Sequence, residues 1–264
     1  MPANEHPVFV PPSNINVKIW RYMDFTKFVS MLETSGLFFS RADKLGDPFE
    51  GSLPKSSGLE RDEYDAAHTD GAYQVRLFRA LRKWTMMSCW HMNEHESAAM
   101  WRLYAKSNEA IAVCSTYQKL RDCLDQRFYV GVVNYIDYDH DRLPTTPRNV
   151  LFPFVHKRLS FKHEDELRAV VPGWPPLKPL IGDKPDWMKH ETRDDEGVSV
   201  IYDFDAEPAT DGVWRLVSLQ LLLEEIRIAP GAPHWFRELV TQVIGRYALN
   251  IPVVQSRLDD SPLY

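Results

Sequence analysis

Short apolar runs of strand length alternate irregularly with amphipathic stretches along this chain, and that alternation bounds the fold more tightly than any motif. Strands are predicted over residues 17–22, 37–40, 85–90, 110–115, 128–135, 198–204, 226–229 and 251–255. Helical spacing fills the intervals. Asp24 is expected to cap a helix with Phe25, Phe28, Val29 and Leu32 on one stripe. Within residues 59–83, helix is predicted at least from Gln74, with Val75, Phe78 and Leu81 on one face. Asn93 with Glu96 reads as a capping-box start for a helix to residue 106. Further helices are predicted over 116–125, 150–159 and 216–224. Pro233 opens the best-patterned one, with Phe236, Leu239, Val240, Val243, Ile244 and Tyr247 inward.

Strands mixed with helices of uneven length, without an internal repeat or a dividing linker, predict one α+β (mixed α/β) domain. Its expected form is a central mixed sheet flanked by helices over residues 16–264, after a loose lead-in at 1–15. Pro, Gly and charge between residues 172 and 197 predict a long surface excursion.

Composition narrows the function classes. With 31 basic and 37 acidic residues the net charge is -6, which argues against a globally basic nucleic-acid binder. Cys89, Cys114 and Cys123 form no C-x-x-C and no zinc spacing, which suits a reducing compartment. No apolar run reaches the length of a membrane span and residues 1–12 hold no apolar signal core, so the expectation is a soluble cytoplasmic protein with no membrane partner. Phosphate-cradling glycine loops, nucleophile elbows and calcium loops are absent as strings.

The strongest chemical signal is Glu164-Asp165-Glu166-Leu167-Arg168, which opens an apolar strand pattern. Acids two apart on an extended chain share a face, and two buried carboxylates repel unless a cation such as Arg168 or Lys162 joins them. Glu166 and Glu164 are the candidate catalytic pair; a salt-bridged strand end is the plainer reading. Asp47-Pro48-Phe49-Glu50-Gly51 is a turn whose acids either face a ligand or cap the next segment. Met100 and Tyr104 stand one helical turn apart with Trp101 beside them, a stripe that fits a core or a stacking pocket. His91-x-x-Glu94-His95 matches a zinc hydrolase string, which requires both imidazoles on one helical face.

Taken in order, Trp20-Arg21-Tyr22, Leu37-Phe38-Phe39-Ser40, Asp47-Pro48-Phe49-Glu50, Ser88-Cys89-Trp90, Met100-Trp101-x-x-Tyr104 and Phe161-x-x-Glu164-x-Glu166-x-Arg168 resemble the bacterial family called domain of unknown function 2971. Ile226-x-Ile228-Ala229-Pro230 and Ser256-x-Leu258 extend the resemblance, which spans about residues 17 to 264. Gly46 departs from it, since the family usually has Asn before Asp-Pro. The resemblance implies a family without an assigned activity.

The order of elements is also similar to that of ADP-ribosyltransferase-like folds. That similarity implies that Glu166 stabilises an oxocarbenium-like transition state and Glu164 activates the acceptor. It places Arg21 and Ser40 near the phosphates and ribose of NAD, with Trp101 or Tyr104 stacking on a ring. Tyr22, Asp47, Glu50, Ser88 and Arg168 complete the expected ligand-binding set. The alternative expectation is a non-catalytic binding module for a nucleotide or a protein partner, of the kind used in stress or phage defence.

Overall fold

The computed structural model describes residues 2–55, 71–144, 149–182, 192–193 and 195–264. Strand β1 (Lys18–Asp24) runs straight into helix α1 (Phe25–Glu33), whose Phe28, Met31 and Leu32 are buried at helical spacing. Ser35 turns the chain in a left-handed conformation into β2 (Gly36–Arg41). Helix α2 (Gly71–Trp84) leads to β3 (Met86–Met92), and α3 (Ala98–Tyr104) to β4 (Ala110–Thr116), which is buried along its whole length. Helix α4 (Tyr117–Cys123) and β5 (Tyr129–Val132) follow.

Two short strands, β6 (Asn134–Ile136) and β7 (His156–Arg158), pair in parallel away from the main sheet. The main sheet resumes with β8 (Glu166–Val171). Strands β9 (Leu177–Pro179), β10 (Thr192–Arg193) and β11 (Ser199–Tyr202) make a small separate sheet. The chain ends with β12 (Gly212–Leu216), the one-turn α5 (Leu219–Leu222), β13 (Glu225–Ile228), α6 (His234–Arg246) and β14 (Val253–Gln255).

The main sheet has nine strands in the order β12-β2-β3-β1-β4-β13-β14, with β8 and then β5 branching from β3. It is antiparallel except where β14 joins β13 in parallel, so the chain is a single α+β domain on a mixed sheet. The branch at β3 positions the site. β8 pairs with β3 from Met86 to His91. On the opposite edge β2 pairs only at Met86 and Met87, and β1 only at His91 and Met92. Beside Ser88, Cys89 and Trp90 the sheet is therefore split.

Several elements depart from the sequence reading, each for a local reason. Within the expected loose lead-in, residues 2–9 are packed against the domain. Ala3, Val8 and Phe9 are buried, Asn4 bridges to Tyr129, and Phe9 stacks on Tyr129 at 5.2 Å, so the segment covers the β5 edge. A Cβ on Gly131 would stand 2.7 Å from the Phe9 backbone. Gly131→Ala is therefore expected to lose about 1–3 kcal/mol and to release the N-terminal segment. A lowered thermal midpoint together with faster proteolytic clipping before Val10 checks this; an unchanged midpoint contradicts the packing.

The helix expected from Asn93 starts at Ala98 instead. Asn93 Oδ1 accepts from His95 N at 3.1 Å in a turn, and Ser97 Oγ accepts from Met100 N at 3.3 Å as the true cap. The run expected as one strand over 128–135 breaks at Val133, whose N–H donates to the Glu166 carbonyl at 2.9 Å. The helix expected over 150–159 is a 3-10 turn at Phe152–Val155 followed by β7, with Pro153 removing an N–H that a helix would need. Strand β12 was not anticipated at all. The part of the expected helix at 59–70 and most of residues 183–194 lie outside the described residues.

Candidate functional site

A cleft of about 620 Å³ passes through the split between β1, β2 and β3. Its volume lies within the ordinary range for small-molecule sites. At one end the side chain of Arg21 turns from β1 into the gap. Nη1 donates to Ser88 Oγ at 2.9 Å and Nη2 to the Phe38 carbonyl at 3.0 Å, with the guanidinium 5.9 Å over the Trp90 ring. Both acceptors are neutral. Among the described residues no carboxylate pairs with Arg21, and burial pulls its pKa below the ordinary arginine value. A half-buried guanidinium held open by neutral acceptors is preorganised for an oxyanion.

The other end is an ionic cluster around Lys157, a residue that sequence reading missed. Its ammonium lies 2.5 Å from Glu164, 3.3 Å from Glu166 and 3.3 Å from Glu50. It also sits 4.7 Å from the Phe161 ring centroid. Behind it Arg168 donates from Nε and Nη2 to Glu166 Oε2 at 2.9 and 2.6 Å, from Nη2 to Glu50 at 2.9 Å, and from Nη1 to the Phe154 carbonyl at 3.0 Å. Glu50, Glu164 and Glu166 face Lys157 and Arg168, so three carboxylates meet two cations. Glu50 Oε2 is buried without a hydrogen-bond partner among the described residues.

The backbone explains why both acids reach one cation. Asp165 adopts a left-handed conformation with φ 38 between the 3-10 turn at Leu159–Glu164 and β8. His91 Nδ1 donates to the Glu164 carbonyl at 2.6 Å, and Glu166 N donates to Tyr135 Oη at 2.9 Å, pinning both sides of that kink. The two carboxylates then differ in charge state. Burial, and next the negative charge of Glu166, push Glu164 above the usual carboxylate range. Burial works the same way on Glu166, but Arg168 and Lys157 outweigh it and hold Glu166 below that range. The pair thus supplies an ionised carboxylate beside one that retains a proton more readily, the division of labour found in acid-base sites.

Most of the residues singled out from sequence meet in this cleft. Arg21, Tyr22 and Ser40 line it from β1 and β2, and Asp47 and Glu50 from the loop after β2. Glu164, Glu166 and Tyr104 line its acidic end, where burial and then the two acids raise the Tyr104 pKa. Met100 lines it too, as the i,i+4 relation to Tyr104 requires. Cys89 lies in the wall with its thiol pushed up to about 12 by burial and then by Glu166, so it is not a thiolate nucleophile.

Three expected ligand-binding residues stand behind the wall. Ser88 is buried and reaches the cleft through Arg21 and Trp90, both of which donate to its Oγ, at 2.9 and 3.2 Å. Arg168, 0% exposed, acts through Glu166 and Glu50. Trp101 packs edge-on against Tyr22 at 4.9 Å and donates its N–H to Glu96 at 2.8 Å, so it offers no stacking face to the cleft. Phe38, Trp90, Phe161 and Trp214 line the cleft instead, with Trp20, Tyr22 and Tyr104.

The zinc string does not assemble. His91 is buried in β3, whereas Glu94 and His95 are exposed in the turn after it, so the imidazoles share no helical face. At Gly46, where the resemblance leads one to expect Asn, a Cβ meets nothing within 4 Å, so the departure leaves the cleft more open. Among the described residues no helix is long and apolar enough to cross a membrane.

No protein-family model, curated protein or solved structure matches this chain.

Proposed function

We propose that the cleft binds a nucleotide-type ligand and transfers its glycosyl group, with NAD as the substrate and ADP-ribosyl transfer as the reaction. The observation that carries this reading is the meeting of an unpaired Arg21 with the Glu164 and Glu166 pair in one cleft. Arg21 takes a phosphate oxygen. At the acidic end the bond between ribose C1′ and nicotinamide nitrogen breaks, and its electron pair leaves with nicotinamide, which becomes neutral. The cationic charge that develops on the ribose faces ionised Glu166. The acceptor attacks C1′ and gives its proton to Glu164. The three cysteines are free, in keeping with a reducing cytoplasm where NAD is available.

One observation favours a second reading, a nucleotide- or protein-binding module without turnover. Both oxygens of Glu166 already touch cations, Oε1 with Lys157 and Oε2 with Arg168, which tempers the charge it can present to a transition state. Thermal unfolding with and without NAD tests the binding common to the transferase and nucleotide-module readings, and release of nicotinamide separates them. NAD at 100 times its Kd is expected to add about 2.7 kcal/mol of stability, and Arg21→Gln to abolish that shift. A shift that survives intact in Arg21→Gln removes the phosphate from Arg21; no shift at all in the wild type removes the nucleotide.

A further inference from the structure

We infer that Trp214 and Phe38 form the platform on which the ligand's planar ring stacks, so that the cleft selects a heteroaromatic phosphate over a bare sugar phosphate. The inference deepens the nucleotide reading and rests on the oxyanion being held at Arg21.

Trp214 lies on β12, paired opposite Phe38 of β2. In an antiparallel pair, opposite residues project on the same face. The two rings stand 5.3 Å apart, tilted by 59°, and both line the cleft. The Phe38 carbonyl is the group that holds Arg21 Nη2. The aromatic pair is thus attached through one residue to the proposed phosphate anchor, which puts ring and oxyanion subsites side by side.

Backbone packing keeps the platform in place. A Cβ on Gly212 would stand 2.5 Å from the Phe38 ring and 2.3 Å from the Phe39 carbonyl, so the Phe38 ring lies directly on the backbone of β12. Trp214 is 36% exposed, which leaves a large apolar face to cover. Trp90 lies beneath the Arg21 guanidinium and is buried, so it cannot present a face in the same way. An outward-facing indole next to a fixed cation matches the joined base and phosphate of a mononucleotide. A platform of this kind gains affinity from ring area without reading base edges.

The test is calorimetric titration of the full chain with AMP and with ribose 5-phosphate, in wild type, Trp214→Ala, Trp214→Phe and Arg21→Gln. Stacking of one base supports a 10- to 100-fold preference for AMP in the wild type. Trp214→Ala is expected to bring AMP down to the affinity of ribose 5-phosphate without altering ribose 5-phosphate itself, and Trp214→Phe to keep most of the preference. Arg21→Gln is expected to weaken both ligands. If Trp214→Ala binds AMP as well as the wild type while Arg21→Gln loses it, the platform is wrong and the nucleotide reading survives. If the wild type binds neither ligand, that reading fails and the platform goes with it. Trp214→Ala also gives up the ring contact with Phe38, so the fold is controlled by its unaltered affinity for ribose 5-phosphate and by Trp214→Phe, which keeps a ring and is expected to unfold near the wild-type midpoint.

Discussion

Arg168→Met is expected to destabilise this protein by about 3–5 kcal/mol, the scale on which a broken buried ion pair is felt. Arg168 is fully buried and holds Glu166, Glu50 and the Phe154 carbonyl. Methionine fills similar space but leaves three carboxylates facing Lys157 alone. Against a typical domain stability of roughly 5–15 kcal/mol, that loss is a large fraction. Urea unfolding should show a much lower midpoint with an unchanged slope. Adding Glu166→Leu removes one stranded charge, so the double variant should be more stable than Arg168→Met alone. A loss below about 1 kcal/mol in the single variant is what a solvated cluster gives, and it would contradict the burial on which the charge states of Glu164 and Glu166 depend.

The same cluster shows what was legible in the chain. Glu166 and Arg168 are two apart on a strand, and period-two geometry alone places them on one face, where they pair as that rule requires. Phe28 and Leu32, and likewise Phe236, Val240 and Ile244, followed their helical stripes into the core, whereas Phe25, Val29, Val243 and Tyr247 are half-buried and Leu239 is exposed. Lys157 was not legible. It belongs to a three-residue strand that pairs with β6 from a distant part of the chain, and nothing local marks such a residue as buried.

Trp101 shows a different limit. A cap four residues later than Asn93 begins the helix, and the helix then turns Met100 and Tyr104 to the cleft and Trp101 to Tyr22. The stripe was visible in sequence, but the face it presents depends on which strand the helix packs against. The split at β3 was equally out of reach, because it arises from β1 and β2 each pairing with only one end of β3. Strand β12, which supplies Trp214, was hidden because its Val213-Trp214-Arg215-Leu216 run has no polar alternation. It is an edge strand whose bulky residues are exposed.

Glu166→Gln is expected to lower the rate of nicotinamide release from NAD by about 10²–10³-fold, the effect of losing one preorganised electrostatic contact to the transition state. The amide keeps an oxygen for Arg168 and nearly the same shape, so the variant should fold with a smaller loss than Arg168→Met. NAD should still raise its thermal midpoint, because Arg21 is untouched. A drop in kcat at constant KM would mark Glu166 as acting only in the transition state. Glu164 gives an independent readout. It accepts the acceptor's proton only when ionised, and its pKa is raised, so kcat/KM should climb with pH through a point above the ordinary glutamate value of about 4.3. Glu164→Gln should lower the rate and flatten that limb. If Glu166→Gln instead releases nicotinamide at the wild-type rate, the carboxylate serves Arg168 and Lys157 rather than the substrate. If neither protein releases nicotinamide while NAD still stabilises both, the cleft is a nucleotide-binding site whose acids hold its floor together.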